Sequence, residues 1–511
     1  MKKRTYWNIL AQDILQNKIL LFCTVLTAIL SFGFAVTHFS IGIDDMASSY
    51  YLSPGNPGSM VQQGRLLHVL LNTLTHSLEF IPFFMDFVGA SLFTASALLY
   101  CALFQQATDS KLPTAALTVF ACVYLSSSIT AEKFIYQLDV MATMLSYCSG
   151  AIALMYARQY IREKAATPFF QSLALLALSI ASYESFIFLY VCGVFALMIL
   201  EALYRDRYRS FRPILLDGLK YALILLATIL FYYALVALVQ RTTGQYGIFV
   251  RPSIWETAAE GFLATFTTIT QNIAQYFIQS LSLRYIPILA FCLLSLAGAA
   301  TCLILSIRTK NGWLFFCFLA LFFSNFFIHY AVGSFTARAA QTFCFFAGFC
   351  GLLLVETFRG KALLKNTVCA ALVLLVFLQS ADMTRWFYND YARYQKEKFV
   401  IDTIANKIIS DYDASKPLIF TNAPIFGHLN TAVYPGRQQN GNSLIYWMGY
   451  AFEDKTQPFI TEVFRFHGYD FTQSPTPEQY DAACEKAQAM AVWPQRGSIQ
   501  EFPDFIVVNF G

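Results

Sequence analysis

The stretch "KILLFCTVLTAILSFGFAVTHF", residues 18–39, decides the fold class of this 511-residue chain. After Lys18 it contains no Asp, Glu, Lys or Arg, and its length suits a helix crossing the roughly 30 Å hydrocarbon core of a bilayer. The stretch is too long for a removable signal peptide and lacks a small-residue cleavage site. Similar apolar runs occupy residues 221–239 and 285–307. The pattern predicts an all-α polytopic membrane protein.

Composition agrees with this prediction, since 57% of residues are hydrophobic and 13% are charged, against about a quarter charged in soluble domains. Ser182–Ser185 is either a tight outer turn or a break in one long helix. There is no internal repeat. We predict about eleven membrane spans, at residues 19–38, 81–105, 113–129, 140–157, 169–183, 185–203, 219–240, 286–307, 313–332, 343–358 and 366–380.

Lysine and arginine are distributed unevenly between the two predicted sides of the membrane. With the N-terminus inside, the inner segments hold eighteen basic residues and the outer loops before residue 381 hold six. Cytoplasmic loops carry the excess of basic residues, so the N-terminus is predicted inside and residues 381–511 outside. The net charge of +4 reflects this bias and does not indicate a nucleic-acid partner.

The composition changes near residue 381, where eleven Lys/Arg and fifteen Asp/Glu follow. "KFVIDTIANKIISDY" (398–412) predicts an amphipathic helix with Val400, Ile401, Ile404, Ile408 and Ile409 on its buried face. "PLIFTN" (417–422) and "DFIVVNF" (504–510) predict buried strands. We therefore expect a membrane domain at 1–380 and a small periplasmic α/β domain at 381–511.

Two long outer loops, 39–80 and 241–285, each contain a mixed polar and apolar helical stretch that suits a helix lying on the membrane surface. The first loop begins with "IGIDDMASSYY", which places Asp44 and Asp45 directly after the first span. Carboxylates beside a low-dielectric surface suit general-base catalysis. Arg65, in "QQGR", suits phosphate binding. The alternative is that the acids cap a surface helix and Arg65 anchors to lipid headgroups.

The layout "IGIDDMASSYY…QQGRLLHVLLNTL" after a first span resembles the bacteriophage-type O-antigen glucosyltransferases that convert lipopolysaccharide serotype. These belong to the multispan, lipid-donor (GT-C type) glycosyltransferases. The resemblance implies transfer of a sugar, glucose in this family, from a polyprenyl-phosphate donor to O-antigen at the periplasmic face of the bacterial inner membrane. It also favours a catalytic role for Asp44 and Asp45.

Other polar residues at predicted outer ends are further candidates. Arg338, in "GSFTARAAQT", can bind donor phosphate or anchor to headgroups. His68, Asn72 and His76 recur every four residues, which predicts the wet face of a surface helix. The rise of about 12 Å between the two histidines argues against a metal pair. Trp447 and Trp493 are possible sugar-stacking rings. Candidates for lining an acceptor cleft, each with an alternative as a solvated loop, turn or helix-face residue, are Glu132, Lys133, Asp139, Glu184 and His68.

No Gly-rich phosphate loop, Ser-His-Asp order or metal-ligand spacing occurs in the sequence, so no cofactor and no obligatory metal are predicted. We expect Asp44 to deprotonate the acceptor, Asp45 to orient the acceptor or Asp44, and Arg65 to hold the leaving phosphate. The alternative is a transporter or flippase for lipid-linked saccharides, with a non-enzymatic scaffold as a third possibility. Transporters usually place ionisable groups mid-span and show paired halves, whereas these charges lie mainly at outer ends.

The basic-residue asymmetry and the odd span count make the topology testable. A reporter that is active only in the periplasm, fused after Gly511, is expected to be active. Reporter activity only in the cytoplasm at that position would mean that one span has been miscounted.

Overall fold

The computed structural model describes residues 6–42, 45, 58–75, 82–205, 207–245, 261–282, 285–333, 335, 337–423, 443–471 and 473–511. The chain divides into two compact units. The first comprises Met1–Thr37 and Pro57–Trp386, and the second comprises His38–Asn56 and Phe387–Gly511. Residues 38–42 and Asp45 therefore group with the C-terminal part of the chain.

The first unit is helical throughout the part that the structure describes. A π-helical turn, Leu10–Ile14, follows the first helix, and a short 3₁₀ turn, Ser128–Thr130, precedes the seventh. The helices, in chain order, are α1 (Tyr6–Ile9), α2 (Lys18–Thr37), α3 (Gly58–Gln62), α4 (Leu66–Thr75), α5 (Pro82–Ala107), α6 (Thr114–Ser126), α7 (Ala131–Ile135), α8 (Gln137–Glu163), α9 (Ala166–Ile180), α10 (Phe186–Tyr204), α11 (Phe211–Thr243), α12 (Phe262–Ser282), α13 (Ile286–Thr309), α14 (Trp313–Ser324), α15 (Phe327–Val332), α16 (Thr342–Thr357) and α17 (Ala362–Asp411), the last of which continues into the second unit.

Nine helical segments among the described residues are long and apolar enough to cross a bilayer, which confirms a multi-pass membrane protein. Two more predicted spans correspond to α9 and α16, which are apolar but have only 15 and 16 residues, fewer than the roughly 20 that a straight crossing needs. The total of eleven and the orientation stay predictions. Between α9 and α10 the helix is interrupted at Ala181–Ser185, so this region is not one long helix.

Helices α6 and α16 approach closely because glycine lies at their contact. A Cβ atom at Gly348 would lie 2.9 Å from the backbone oxygen of Phe120, and one at Gly351 would lie 3.0 Å from Val119 Cγ1. Small residues let helix backbones approach each other in membranes, where packing takes over from the hydrophobic effect. The close contact between α6 and α16 therefore requires glycine, which has no side chain, at positions 348 and 351.

The second unit is α/β in the part that the structure describes. Its sheet has the order β1–β3–β2, with β1 (Leu418–Thr421) parallel to β3 (Ile506–Asn509) and β2 (Ile499–Glu501) antiparallel to β3. Both predicted strands are confirmed. Between β1 and β2 in the chain lie α18 (Leu444–Gly449), α19 (Phe459–Phe466) and α20 (Pro477–Ala487). Helix α20 packs against the sheet.

The predicted amphipathic helix is confirmed as the last part of α17, with one correction to its buried face. Val400, Ile401, Ile404 and Ile408 are buried, but Ile409 is 56% exposed. At about 100° per residue, position 409 lies opposite position 400 on the helix. Ala405, which is fully buried, occupies the inner face instead.

We expect Gly348→Leu to destabilise the first unit, because the new side chain would force α16 away from the Phe120 backbone. Overpacking typically costs about 1–3 kcal/mol. Gly360→Leu is the control, since nothing lies within 4 Å of a Cβ atom there. The measurement is the temperature at which each detergent-purified variant loses its monodisperse size-exclusion peak. Equal midpoints for the two variants would contradict close packing of α6 on α16.

Candidate functional site

Arg65 is held at the start of α4 by contacts that explain the glycine before it. Gly64 has φ +73°, and a Cβ atom there would lie 2.5 Å from the Tyr232 hydroxyl oxygen, which itself donates to the Gly64 carbonyl at 3.0 Å. A residue with a side chain would thus meet both strain and a clash. The Leu67 amide also donates to the Ala181 carbonyl at 3.0 Å. The Gly-Arg element therefore has a structural reason.

Asp139, in the first turn of α8, joins three chain segments through its carboxylate. Its Oδ2 accepts a hydrogen bond from the Tyr183 hydroxyl at 2.7 Å and lies 3.7 Å from Arg65 Nη1, while Oδ1 lies 3.3 Å from His68 Nε2. Burial lowers the pKa of the His68 imidazole to about 4, so the ring is neutral near pH 7. Asp139 thus fixes the geometry around Arg65.

Tyr183 supplies an aromatic face to two cations. The Arg65 guanidinium carbon lies 4.4 Å from the ring centroid, and Lys133 Nζ lies 3.7 Å from it. The Lys133 side chain is buried, and its Nζ has no hydrogen-bond acceptor within the described part of the chain. Burial also raises the pKa of the Tyr183 hydroxyl, which keeps it protonated as a donor to Asp139. Burying an ammonium group that contacts a ring but has no hydrogen-bond acceptor costs free energy, unless a bound ligand supplies the acceptor.

Arg338 lies against a second tyrosine close to this group. Its guanidinium carbon is 3.8 Å from the Tyr136 ring centroid, and its Nη2 donates to the Tyr136 hydroxyl. Arg338 Nε is 3.5 Å from Glu132 Oε1. Arg338 interacts electrostatically with both Lys133 and Tyr183. We call the whole group the cationic cluster, and its members are Arg65, His68, Glu132, Lys133, Tyr136, Asp139, Tyr183 and Arg338.

Glu184 is exposed, whereas the predicted polar face of α4 is buried at His68 and Asn72. Glu184 accepts a hydrogen bond from Tyr233 at 3.1 Å, so it lies beside α11. The prediction that His68 and Asn72 form a wet helix face is wrong, because both side chains are buried. His68 packs edge-on against Tyr183 at 5.7 Å, so this face of α4 points into the protein. His76 lies outside the described residues.

The segment before the acidic pair is anchored to α17 within the second unit. Arg393, 2% exposed, donates to the Ile41 carbonyl at 2.8 Å and to Asp390 at 3.1 Å, and pairs with Glu397. Ser40 donates to the other oxygen of Asp390. Asp45 is buried, and Asp44 lies outside the described residues.

Sequence reasoning missed the two tyrosines of the cationic cluster. Tyr183 and Tyr136 each carry a cation on their ring, yet aromatic residues at the ends of membrane spans are ordinary in sequence. The available signal was a tyrosine beside a charged residue in a short break between helices, as in "SYES". Within the described ranges, no group of three His, Cys, Asp or Glu side chains is placed to hold a metal ion.

Comparison with known proteins identifies the family. Searches of the curated proteins and of the solved structures each find no significant match. The profile of the family described as Glucosyl transferase GtrII matches residues 33–355, well over half of the chain and all members of the cationic cluster. The suspected serotype-converting glucosyltransferase family is thereby confirmed, and the chain belongs to the GtrII glucosyl transferase family.

Proposed function

We propose that this glucosyltransferase takes glucose from a polyprenyl-phosphate donor and adds it to O-antigen at the periplasmic face of the inner membrane. The observation that carries the proposal is the buried Lys133 ammonium, which lies on the Tyr183 ring without a hydrogen-bond acceptor. A lipid-linked donor enters from the bilayer, and its phosphate oxygens would accept the hydrogen bonds of Lys133.

The charges of the cationic cluster match one phosphodiester. With Lys133 protonated, Arg65, Lys133 and Arg338 carry three positive charges, whereas Asp139 and Glu132 carry two negative charges. One positive charge is left over because His68 is neutral near pH 7. A phosphodiester carries a single negative charge, so its binding neutralises the cluster without a metal ion.

In the proposed reaction, Asp44 accepts the proton of an acceptor hydroxyl. The hydroxyl oxygen forms a bond to the anomeric carbon of glucose, while the bond from that carbon to the phosphate oxygen breaks. Polyprenyl phosphate leaves with the bonding electron pair, and the anomeric configuration inverts. Asp45 orients the acceptor or Asp44, and the anchoring of Ile41 to Arg393 restrains the backbone that leads to both.

The direct test supplies purified protein with radiolabelled polyprenyl-phosphate glucose and O-antigen acceptor in detergent. In detergent there are no two compartments, so a transporter moves nothing and leaves the acceptor unlabelled. A transferase still labels the acceptor. Release of label only as free glucose, or no reaction with either substrate, would contradict the proposal.

Lys133→Met should weaken donor binding while it leaves the fold intact or more stable. A charge-assisted hydrogen bond contributes about 1.5–3 kcal/mol, so the KM for the donor should rise roughly ten- to a hundredfold. Removing a buried charge that lacks an acceptor also relieves its desolvation cost. We expect an equal or higher melting temperature together with the raised donor KM.

The control for this change is Lys361→Met, because Lys361 is exposed. It should leave both the melting temperature and the donor KM as in the wild type. If Lys133→Met lowers the melting temperature and leaves the donor KM unchanged, Lys133 is a structural residue.

Asp44→Asn keeps the side-chain shape but removes the proton acceptor. The general-base share of catalysis, roughly 10²–10⁴-fold, should disappear, while the amount of inserted protein stays the same. Asp45→Asn should cost less if it only orients. Turnover per inserted molecule is the deciding quantity, because loss of a helix cap, about 1 kcal/mol, would lower protein level instead. Normal turnover in both variants and in the double variant would exclude this pair from the chemistry.

A further inference from the structure

The second unit contains an aromatic cleft that the transfer chemistry does not use. Four rings follow one another in a closed circuit: Trp447, Tyr450, Phe452 and Phe459. Neighbouring ring centroids lie 5.0 Å apart for Trp447 and Tyr450, 5.3 Å for Tyr450 and Phe452, 5.9 Å for Phe452 and Phe459, and 6.2 Å for Phe459 and Trp447. Tyr450 is 39% exposed and Phe452 is 37% exposed, so part of this aromatic surface faces outward.

The cleft beside these rings has a volume of about 530 Å³ and is lined by Tyr450, Phe452, Glu453, Asp454, Thr456 and Pro458. This volume lies within the range of small-molecule sites, roughly 300–1,000 Å³. The combination of aromatic faces, two carboxylates and a hydroxyl distinguishes it from a purely apolar patch.

The loop that forms the cleft is held in one shape by its own hydrogen bonds. Gln457, fully buried, bonds the Phe420 amide at 3.2 Å and the Phe420 carbonyl at 2.8 Å, which ties the loop to β1. It also donates to the Gly449 carbonyl at 2.9 Å. The Asp454 carboxylate accepts from the Thr456 amide at 3.1 Å and from its hydroxyl at 2.7 Å. A preformed site loses little entropy when it binds a ligand.

The charge of the cleft selects among possible ligands. Glu453 and Asp454 are exposed at its edge, whereas Lys455 pairs with Asp481 on α20. Two carboxylates repel phosphates, anionic lipid headgroups and nucleic acid. They accept hydrogen bonds from hydroxyl groups, and such bonds to a charged acceptor are strong. A neutral polyhydroxylated ligand fits this arrangement.

We propose that this cleft, lined by Tyr450, Phe452, Glu453, Asp454, Thr456 and Pro458, binds the saccharide acceptor. The C–H face of a hexose packs on an aromatic ring, as an apolar surface does, while the sugar hydroxyls donate to Glu453 and Asp454. The inference rests on the proposed function for the identity of the saccharide as acceptor. Trp493, the other ring considered from sequence, packs against Phe510 at 6.4 Å and does not line the cleft.

The test uses the full-length protein in detergent and O-antigen polysaccharide released from the lipid by mild acid, with isothermal titration calorimetry as readout. Three variants are compared with the wild type: the double variant Tyr450→Ala/Phe452→Ala, the conservative variant Glu453→Gln, and the control Phe399→Ala. Phe399 is an exposed aromatic residue of the same unit, 71% exposed, outside the cleft. Poly-lysine and dextran sulfate serve as cationic and anionic comparison probes.

We expect the Kd for the polysaccharide to rise about tenfold or more in the double variant, severalfold in Glu453→Gln, and not at all in the control. In the transfer assay the KM for the acceptor should rise similarly, while the KM for the donor and kcat stay constant. Glu453→Gln replaces one exposed polar side chain by another, so it keeps the test valid if the double variant misfolds.

Equal affinity of the wild type, the double variant and Glu453→Gln would overturn the inference. So would absence of polysaccharide binding to the wild type, or tighter binding of poly-lysine or dextran sulfate in the cleft. If the purified protein transfers no glucose but still binds polysaccharide through these residues, the proposed reaction fails and the saccharide site stands. If transfer occurs and the cleft variants bind and react normally, only the cleft assignment fails.

Discussion

Charged side chains within a helical membrane protein must be neutralised by the protein itself, because hydrocarbon offers neither water nor counterions. Two clusters show the effect of this constraint. Glu201, 2% exposed, binds Arg158 at 2.7 Å and Arg162 at 2.5 Å, and thereby joins α8 to α10. Asp139 binds Arg65 and Tyr183 and lies beside His68, and thereby joins α8 to α4 and to the turn before α10. Each carboxylate acts as a packing element between helices.

The cationic cluster departs from this rule at Lys133. Lys133 has an aromatic ring for a neighbour and no hydrogen-bond acceptor in the described part of the chain. An ion pair would have been the cheaper arrangement for stability, since an unpaired buried charge is costly. In a site that binds a charged ligand, the unpaired charge destabilises the empty protein, and the bound ligand removes that destabilisation.

Several residues of the cluster were predictable because their chemical type is rare in their setting. Arg65, Lys133, Asp139 and Arg338 are charged residues at the ends of apolar runs, where a charge calls for an explanation. Tyr183 and Tyr136 were not predictable, because tyrosine is common at span ends and only three-dimensional proximity distinguishes a ring that carries a cation. His68 was predicted to face water since its spacing with Asn72 matches a polar helix stripe. The structure buries both side chains, and Asp139 and Tyr183 contact His68.

The sequence by itself determined the helical membrane architecture, the small C-terminal α/β region and the family, because hydrophobic run length and strand patterning are local properties that survive without knowledge of contacts. Only the tertiary structure decided that residues 38–56 group with the C-terminal unit, and that Arg393 anchors Ile41 across 352 positions of sequence. It also decided that Lys133 and Arg65 share one ring. Such contacts depend on how the folded chain brings distant residues together, and the residue types alone do not indicate which partner each side chain contacts.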